Sequence, residues 1–103
     1  MNTDKLVAHS RVRFEHAAAR RTLKEKYEAK LIFAYNGGMF KAGPELISIV
    51  GSTSTGRSIL VLLDLYGNPV KVDKAELRSI ATGLWQDTMD HWLAEYEELN
   101  KKR

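Results

Sequence analysis

The stretch Gly51-Ser52-Thr53-Ser54-Thr55-Gly56-Arg57-Ser58 is one residue away from a phosphate-binding loop, with Arg57 where that pattern has lysine. In such a loop, glycine backbone N–H groups cradle the phosphates, and the loop opens a helix whose N-terminus faces them. The following Ile59–Asp64 run even resembles the apolar strand and terminal aspartate that hold magnesium. The physics argues against the match. After Arg57 come Ser-Ile-Leu-Val-Leu-Leu, residues that prefer a strand, and no crossover helix separates the two motifs. Arginine also does not replace the lysine point charge. The expected role is a solvent-exposed connection into a strand, with no nucleotide and no other cofactor.

Metal and acid–base chemistry find equally little. His9, His16 and His91 are the only histidines. His9 and His16 stand seven apart, too far to share an ion without further ligands. Asp87 and His91 are spaced i, i+4, so both reach one point, but a metal needs three or four ligands. A helix-surface ion pair is the expected outcome there. The carboxylates of residues 73–100 have no accompanying His, Ser or Lys constellation, so they read as a solvated face. No catalytic and no metal-binding residue is assigned, and the chain reads as a non-enzyme.

Two patterns fit binding. Arg13, Arg20, Arg21 and Lys24 can share one helix face and contact phosphates, although Glu15, Glu25 and Glu28 interrupt the field. Arg11–Glu15 and Arg21–Glu25 are alternative helix ion pairs. The second pattern is Trp85, Met89, Trp92, Tyr96 and Leu99, which repeat at 4-3-4-3 spacing. That is a heptad seam. Its two tryptophans suit either a core or a partner contact.

These residues need elements to carry them. Residues 3 to about 35 are expected to form one long helix, with Thr3 as N-cap and no Gly or Pro before Gly37. Its stripe of Leu6, Val7, Phe14, Ala17 and Ala18, then Leu23, Tyr27, Leu31 and Ala34, breaks around Arg20-Arg21. The first half is poor in large apolar groups, so it is expected to project and need a partner surface. Asn36-Gly37-Gly38 would end the helix as a left-handed C-cap. A short strand at 39–42 and a short helix Glu45–Val50 behind Pro44 follow, with a strand at Leu46–Val50 as the alternative. Ile59–Leu65 and Val70–Val72 flank Tyr66-Gly67-Asn68-Pro69 as a hairpin. Asp73 and Glu76 have capping-box spacing at the start of a last helix that runs to about Lys101. Leu77–Leu84 would pack on the sheet, leaving the aromatic seam for helix 1 or a second chain.

The fold class is therefore α+β in a single domain, 1–103. It comprises a long basic N-terminal helix (1–35), a small antiparallel β segment with a short helix (36–72), and a long acidic C-terminal helix (73–103). Residues 1–30 hold eight Lys and Arg against four acids; residues 73–100 hold two against seven. The acidic helix is expected to neutralise the basic stripe, within the chain or across a dimer. At 44% hydrophobic and 28% charged, the chain can bury a core. With no cysteine, disulfides and thiolate chemistry are excluded. No apolar run is long enough to span a membrane and no signal peptide is evident. Membrane partners are not expected.

Residues 23–46, which include Tyr35-Asn36-Gly37-Gly38, and residues 62–72, Leu62-Leu63-Asp64-Leu65-Tyr66-Gly67-Asn68-Pro69-Val70-Lys71-Val72, resemble small proteins of T-even-like tailed phages. The similarity is to head-morphogenesis proteins such as a prohead core component and covers roughly a third of the chain. It implies a non-enzymatic protein working in many copies, in the host cytoplasm or the assembling virion. It transfers no functional residue. The expected function is an interaction or assembly protein that contacts a protein partner or itself, as a homo-oligomer. A small nucleic-acid-binding regulator using the basic stripe is the alternative.

Overall fold

A computed structural model describes the backbone of residues 3–52 and 56–101, with side chains from Arg13 onward except Ser52. The tip of the phosphate-loop-like segment, residues 53–55, and the stripe positions Leu6 and Val7 with the side chains of His9 and Arg11 lie outside the described residues, as does the terminal pair 102–103. The element order is α1 (Thr3–Lys30), β1 (Ile32–Tyr35), β2 (Gly38–Lys41), α2 (Pro44–Ser52), β3 (Ile59–Leu63), β4 (Pro69–Asp73) and α3 (Lys74–Lys101). The architecture is α+β: a long helix at each end, a short one between, and two antiparallel hairpins.

The first helix is shorter than its composition suggests. It ends at Lys30, and residues 32–35 form β1 instead of a last helical turn. Leu31 and Tyr35 point into the core, Phe33 is half-buried, and Ile32 and Ala34 face out. That is the period-2 alternation of a strand. Asn36 and Gly37 both have positive φ, 47° and 83°. Tyr35 pairs with Gly38 across them, so Asn-Gly makes a two-residue type I′ hairpin turn. The C-cap expected at this position is therefore a hairpin turn.

Pro44 opens α2, and Ile47 N–H donates to Gly43 O at 3.0 Å, closing its first turn. Leu46 and Val50, one turn apart, are its buried residues. The β3–β4 hairpin pairs Ile59 with Asp73 through Leu63 with Pro69. Its turn is organised by Asp64, whose carboxylate accepts from the Tyr66, Asn68 and Met39 N–H groups at 2.9, 2.9 and 3.2 Å. These backbone donors, Asn68 foremost, hold the Asp64 carboxyl below the usual carboxylate range against a smaller opposing effect of desolvation. The Met39 bond also ties the first hairpin to the second. A second tie is Gly38, where an added Cβ would lie 2.6 Å from Val70 Cγ2.

At the start of α3, Asp73 Oδ1 accepts from Glu76 N–H at 3.0 Å, the expected N-cap. The first half of α3 buries Leu77 and Ala81 completely, against α2 and β4. The core therefore sits between α2, the two hairpins and the N-terminal half of α3. Leu31, Phe40, Ala42, Val50, Val72 and Leu77 are at most 3% exposed within it.

Candidate interaction surface

The second half of α3 leaves this core and packs on α1 of the same chain. Tyr27 stacks on Trp92 with ring centroids 6.0 Å apart and planes 6° from parallel. Lys26 Nζ lies 2.8 Å from Glu95 Oε1, and the Tyr27 hydroxyl donates to the same oxygen. Lys26 and Lys30 also hold their ammonium groups 5.2 and 4.9 Å from the Tyr27 ring centroid. The cluster is electrostatically self-consistent. Lys26, then Tyr27, hold Glu95 below the usual carboxylate range. The hydrogen bond to Glu95 raises both the Lys26 ammonium and the Tyr27 phenol above their ordinary values. Lys26 and Glu95 are each close to half exposed, so the ion pair fixes register more than it stabilises.

That register shows where the helices part. Tyr27 lies beside Trp92, while Ala19 and Leu23 share a shallow depression with Leu99. The helices therefore run antiparallel, and α3 ends at Lys101, level with the residues just before Ala19. Roughly the first fifteen residues of α1 continue past it, about 22 Å of helix at 1.5 Å per residue. The longest dimension is 68 Å and the radius of gyration 19.6 Å, against about 13 Å for a compact chain of this length. On this overhang Phe14 is 71% exposed.

The sequence-derived site residues fall into two groups. Trp85, Met89, Trp92 and Leu99 are half-buried and Tyr96 is 38% exposed. Trp92 meets helix 1 within the chain. Trp85, Met89 and Trp92 also line an open groove of about 680 Å³ with Ile49, Leu63 and Leu65. The basic residues Arg13, Arg21 and Lys24 are exposed and Arg20 is half-buried. Among the described residues two ion pairs form, Lys26–Glu95 and Lys101–Glu98, and neither uses this stripe. The cation that α3 neutralises is thus Lys26, outside the stripe. The acids Asp87, Asp90 and Glu97 on the outer face of α3 carry no cation in either pair. Asn100 Oδ1, where α1 leaves α3, is buried without a hydrogen-bond partner.

The remaining candidates resolve simply. His91 Nδ1 lies 2.7 Å from the Asp87 backbone carbonyl, so that pair is a ring-to-backbone hydrogen bond and not a carboxylate ion pair. Among the described residues no three His, Asp or Glu side chains come together to hold a metal. The segment after Gly56 enters β3, not a helix. No helix among the described residues is long and apolar enough to cross a membrane. The Tyr27–Lys26–Glu95 cluster had no signal in the sequence, since its members lie 68 and 69 positions apart. Comparison of the chain with protein-family models, with curated proteins and with solved structures finds no match to any of them.

Proposed function

We propose that this chain is a non-enzymatic assembly protein that associates with copies of itself through helix–helix contacts, using the α1 overhang. The overhang carries the reading. A helical stretch without tertiary contacts is marginal in water, and this one presents a largely exposed Phe14 and an Arg13 that joins neither ion pair found among the described residues. The opposite requirement stands on α3, where among the described residues Asp87, Asp90 and Glu97 join neither ion pair and Asn100 Oδ1 accepts no hydrogen bond. Laying the overhang of one copy along the acidic end of α3 in another would meet both. The phage resemblance of residues 23–46 and 62–72 gives this reading a setting, a prohead core or similar head-assembly structure in the host cytoplasm or assembling virion. The test is sedimentation equilibrium of the intact chain beside Phe14→Glu. Concentration-dependent association that weakens in the variant and with added salt is expected; a strict monomer refutes it.

The unpaired stripe favours one second reading, nucleic-acid binding through Arg13, Arg20, Arg21 and Lys24. Phosphate contacts release counterions, so affinity must fall steeply with salt. Binding to DNA or RNA without that slope, or unchanged when the arginines become glutamate, removes this alternative.

A further inference from the structure

The ladder of the second hairpin fixes which backbone groups of β3 face outward. Asp64 N–H donates to Asn68 O at one end, and Lys74 N–H donates to Ser58 O at the other, both at 2.9 Å. In this register the even-numbered residues of β3 exchange bonds with β4. The N–H and C=O groups of Ile59, Val61 and Leu63 therefore point away from β4, because hydrogen-bonded and non-hydrogen-bonded pairs alternate in an antiparallel ladder.

The two outer edges of this hairpin are treated differently. On β4, Asn36 Nδ2 donates to Lys71 O at 2.9 Å, and Asp73 N–H donates to the Tyr35 hydroxyl at 3.3 Å. Just beyond β3, Leu65 N–H donates to Met39 O at 2.8 Å. Between these covered points, no hydrogen bond among the described residues reaches the outward groups of Ile59, Val61 or Leu63. Their side chains are also exposed, at 46%, 59% and 68%. The strand Ile59-Leu60-Val61-Leu62-Leu63 has no charge, no proline and no bulge, the devices that normally keep an open edge from pairing.

We infer that β3 pairs antiparallel with β3 of a second copy about a two-fold axis through Val61, giving a continuous sheet in the order β4-β3-β3′-β4′. The strand's geometry suits a copy of itself. Residue 61 faces residue 61 and residue 59 faces residue 63, so all three outward residues on each chain fall in hydrogen-bonded pairs. A two-fold contact of this kind requires such a self-complementary patch. The axis also sets exposed Ile59 of each copy across from exposed Leu63 of the other, so apolar side chains meet twice, and the uncharged strand offers nothing to repel its copy. Five residues span only about 17 Å, a contact at the small end for stable complexes. The expected pairing is reversible. It is independent of the α1 overhang, so each chain has two self-contacts, and two non-coincident contacts build an extended assembly.

Amide hydrogen exchange over a concentration series, from micromolar to millimolar, reads the inference directly. The Ile59, Val61 and Leu63 amides should gain at least about tenfold protection as concentration rises, since opening to the monomer limits their exchange. Leu60 and Leu62, bonded to β4, should be protected throughout. Val61→Pro removes an N–H that the hairpin does not use, and proline is tolerated at that side of an edge strand. It should keep the fold and abolish the concentration-dependent protection of Ile59 and Leu63. Should the proline variant fail to fold, Val61→Lys keeps the N–H and sets like charges face to face across the axis; it should give the same loss. Exchange at 59, 61 and 63 that never depends on concentration overturns the inference. So does association that survives Val61→Lys, or protection that appears only when a strand from a different protein is added. Phe14→Glu should leave the β3 protection unchanged, which separates this contact from the helical one.

Discussion

Gly38→Ala tests how the two hairpins are joined. The new Cβ would sit 2.6 Å from Val70 Cγ2, with Asp64 Cβ at 3.2 Å and Phe40 Cε2 at 3.3 Å behind it. Carbon atoms pack best at about 3.5–4.0 Å, so something must move by about 1 Å. Val70 is 8% exposed and Phe40 3% exposed, so neither has space to retreat. Overpacking of this kind costs about 1–3 kcal/mol. Replacing glycine stiffens the unfolded chain and returns about 0.4–1 kcal/mol. The clash wins, and the net loss should be about 0.5–2 kcal/mol. Urea unfolding should show a lower midpoint with an unchanged slope. The double variant Gly38→Ala, Val70→Ala removes the closest atom. There the alanine at 38 should cost less than in the parent by about 1 kcal/mol or more, a coupling normal for contacting residues. A neutral Gly38→Ala, or an equal cost in both backgrounds, refutes the close approach of β2 to the second hairpin.

Other expectations follow from single contacts. Asp73→Ala removes the cap on Glu76 N–H and should cost about 1 kcal/mol, measured as a lower thermal midpoint; Asp73→Asn should recover most of it. Leu77→Ala, at a completely buried site, should cost about 2–5 kcal/mol by the same measurement. Asp64 and Glu95 both have folded pKa values below their ordinary 3.8 and 4.5. Their stabilisation is present above those ordinary values and is lost as pH falls through the lowered folded ones, so an acid titration should show destabilisation below about pH 4. Asp64→Asn should flatten part of that slope. At the alkaline end, Tyr27 and Lys26 are raised, so their contribution is complete below the ordinary values and is lost as pH rises through the raised ones. Tyr27→Phe should remove the phenol's share of that alkaline loss.

The sequence carried its clearest information where local chemistry and tertiary packing agree. Asp73 with Glu76 marked the start of α3, Pro44 marked α2, and the apolar run before Gly67-Asn68-Pro69 marked β3. The projection of α1 was also legible, because Leu6 and Val7 are followed by few large apolar side chains before Leu23. The end of α1 was missed for a definable reason. Leu31, Phe33 and Tyr35 keep strand alternation, but no Gly or Pro separates them from the helical residues before Lys30. Asn36-Gly37 then satisfies two readings, helix C-cap and type I′ turn, and only the partner strand decides between them. Trp92 on Tyr27 could not be read because the α1–α3 register is set by long-range packing. The open edge of β3 depends on ladder parity, and a run of five apolar residues looks the same whether one or both edges are paired.

The α1 overhang is proposed to be covered by another copy of the chain. Sedimentation equilibrium of the intact chain, set beside a chain lacking residues 1–16 in which the thermal midpoint is checked, tests it most directly. The truncated chain should melt at nearly the same temperature, since α1 meets α3 from Ala19 onward, and should lose the salt-sensitive part of its self-association. An intact chain that stays monomeric at every concentration, or an association that persists undiminished without residues 1–16, would contradict the account.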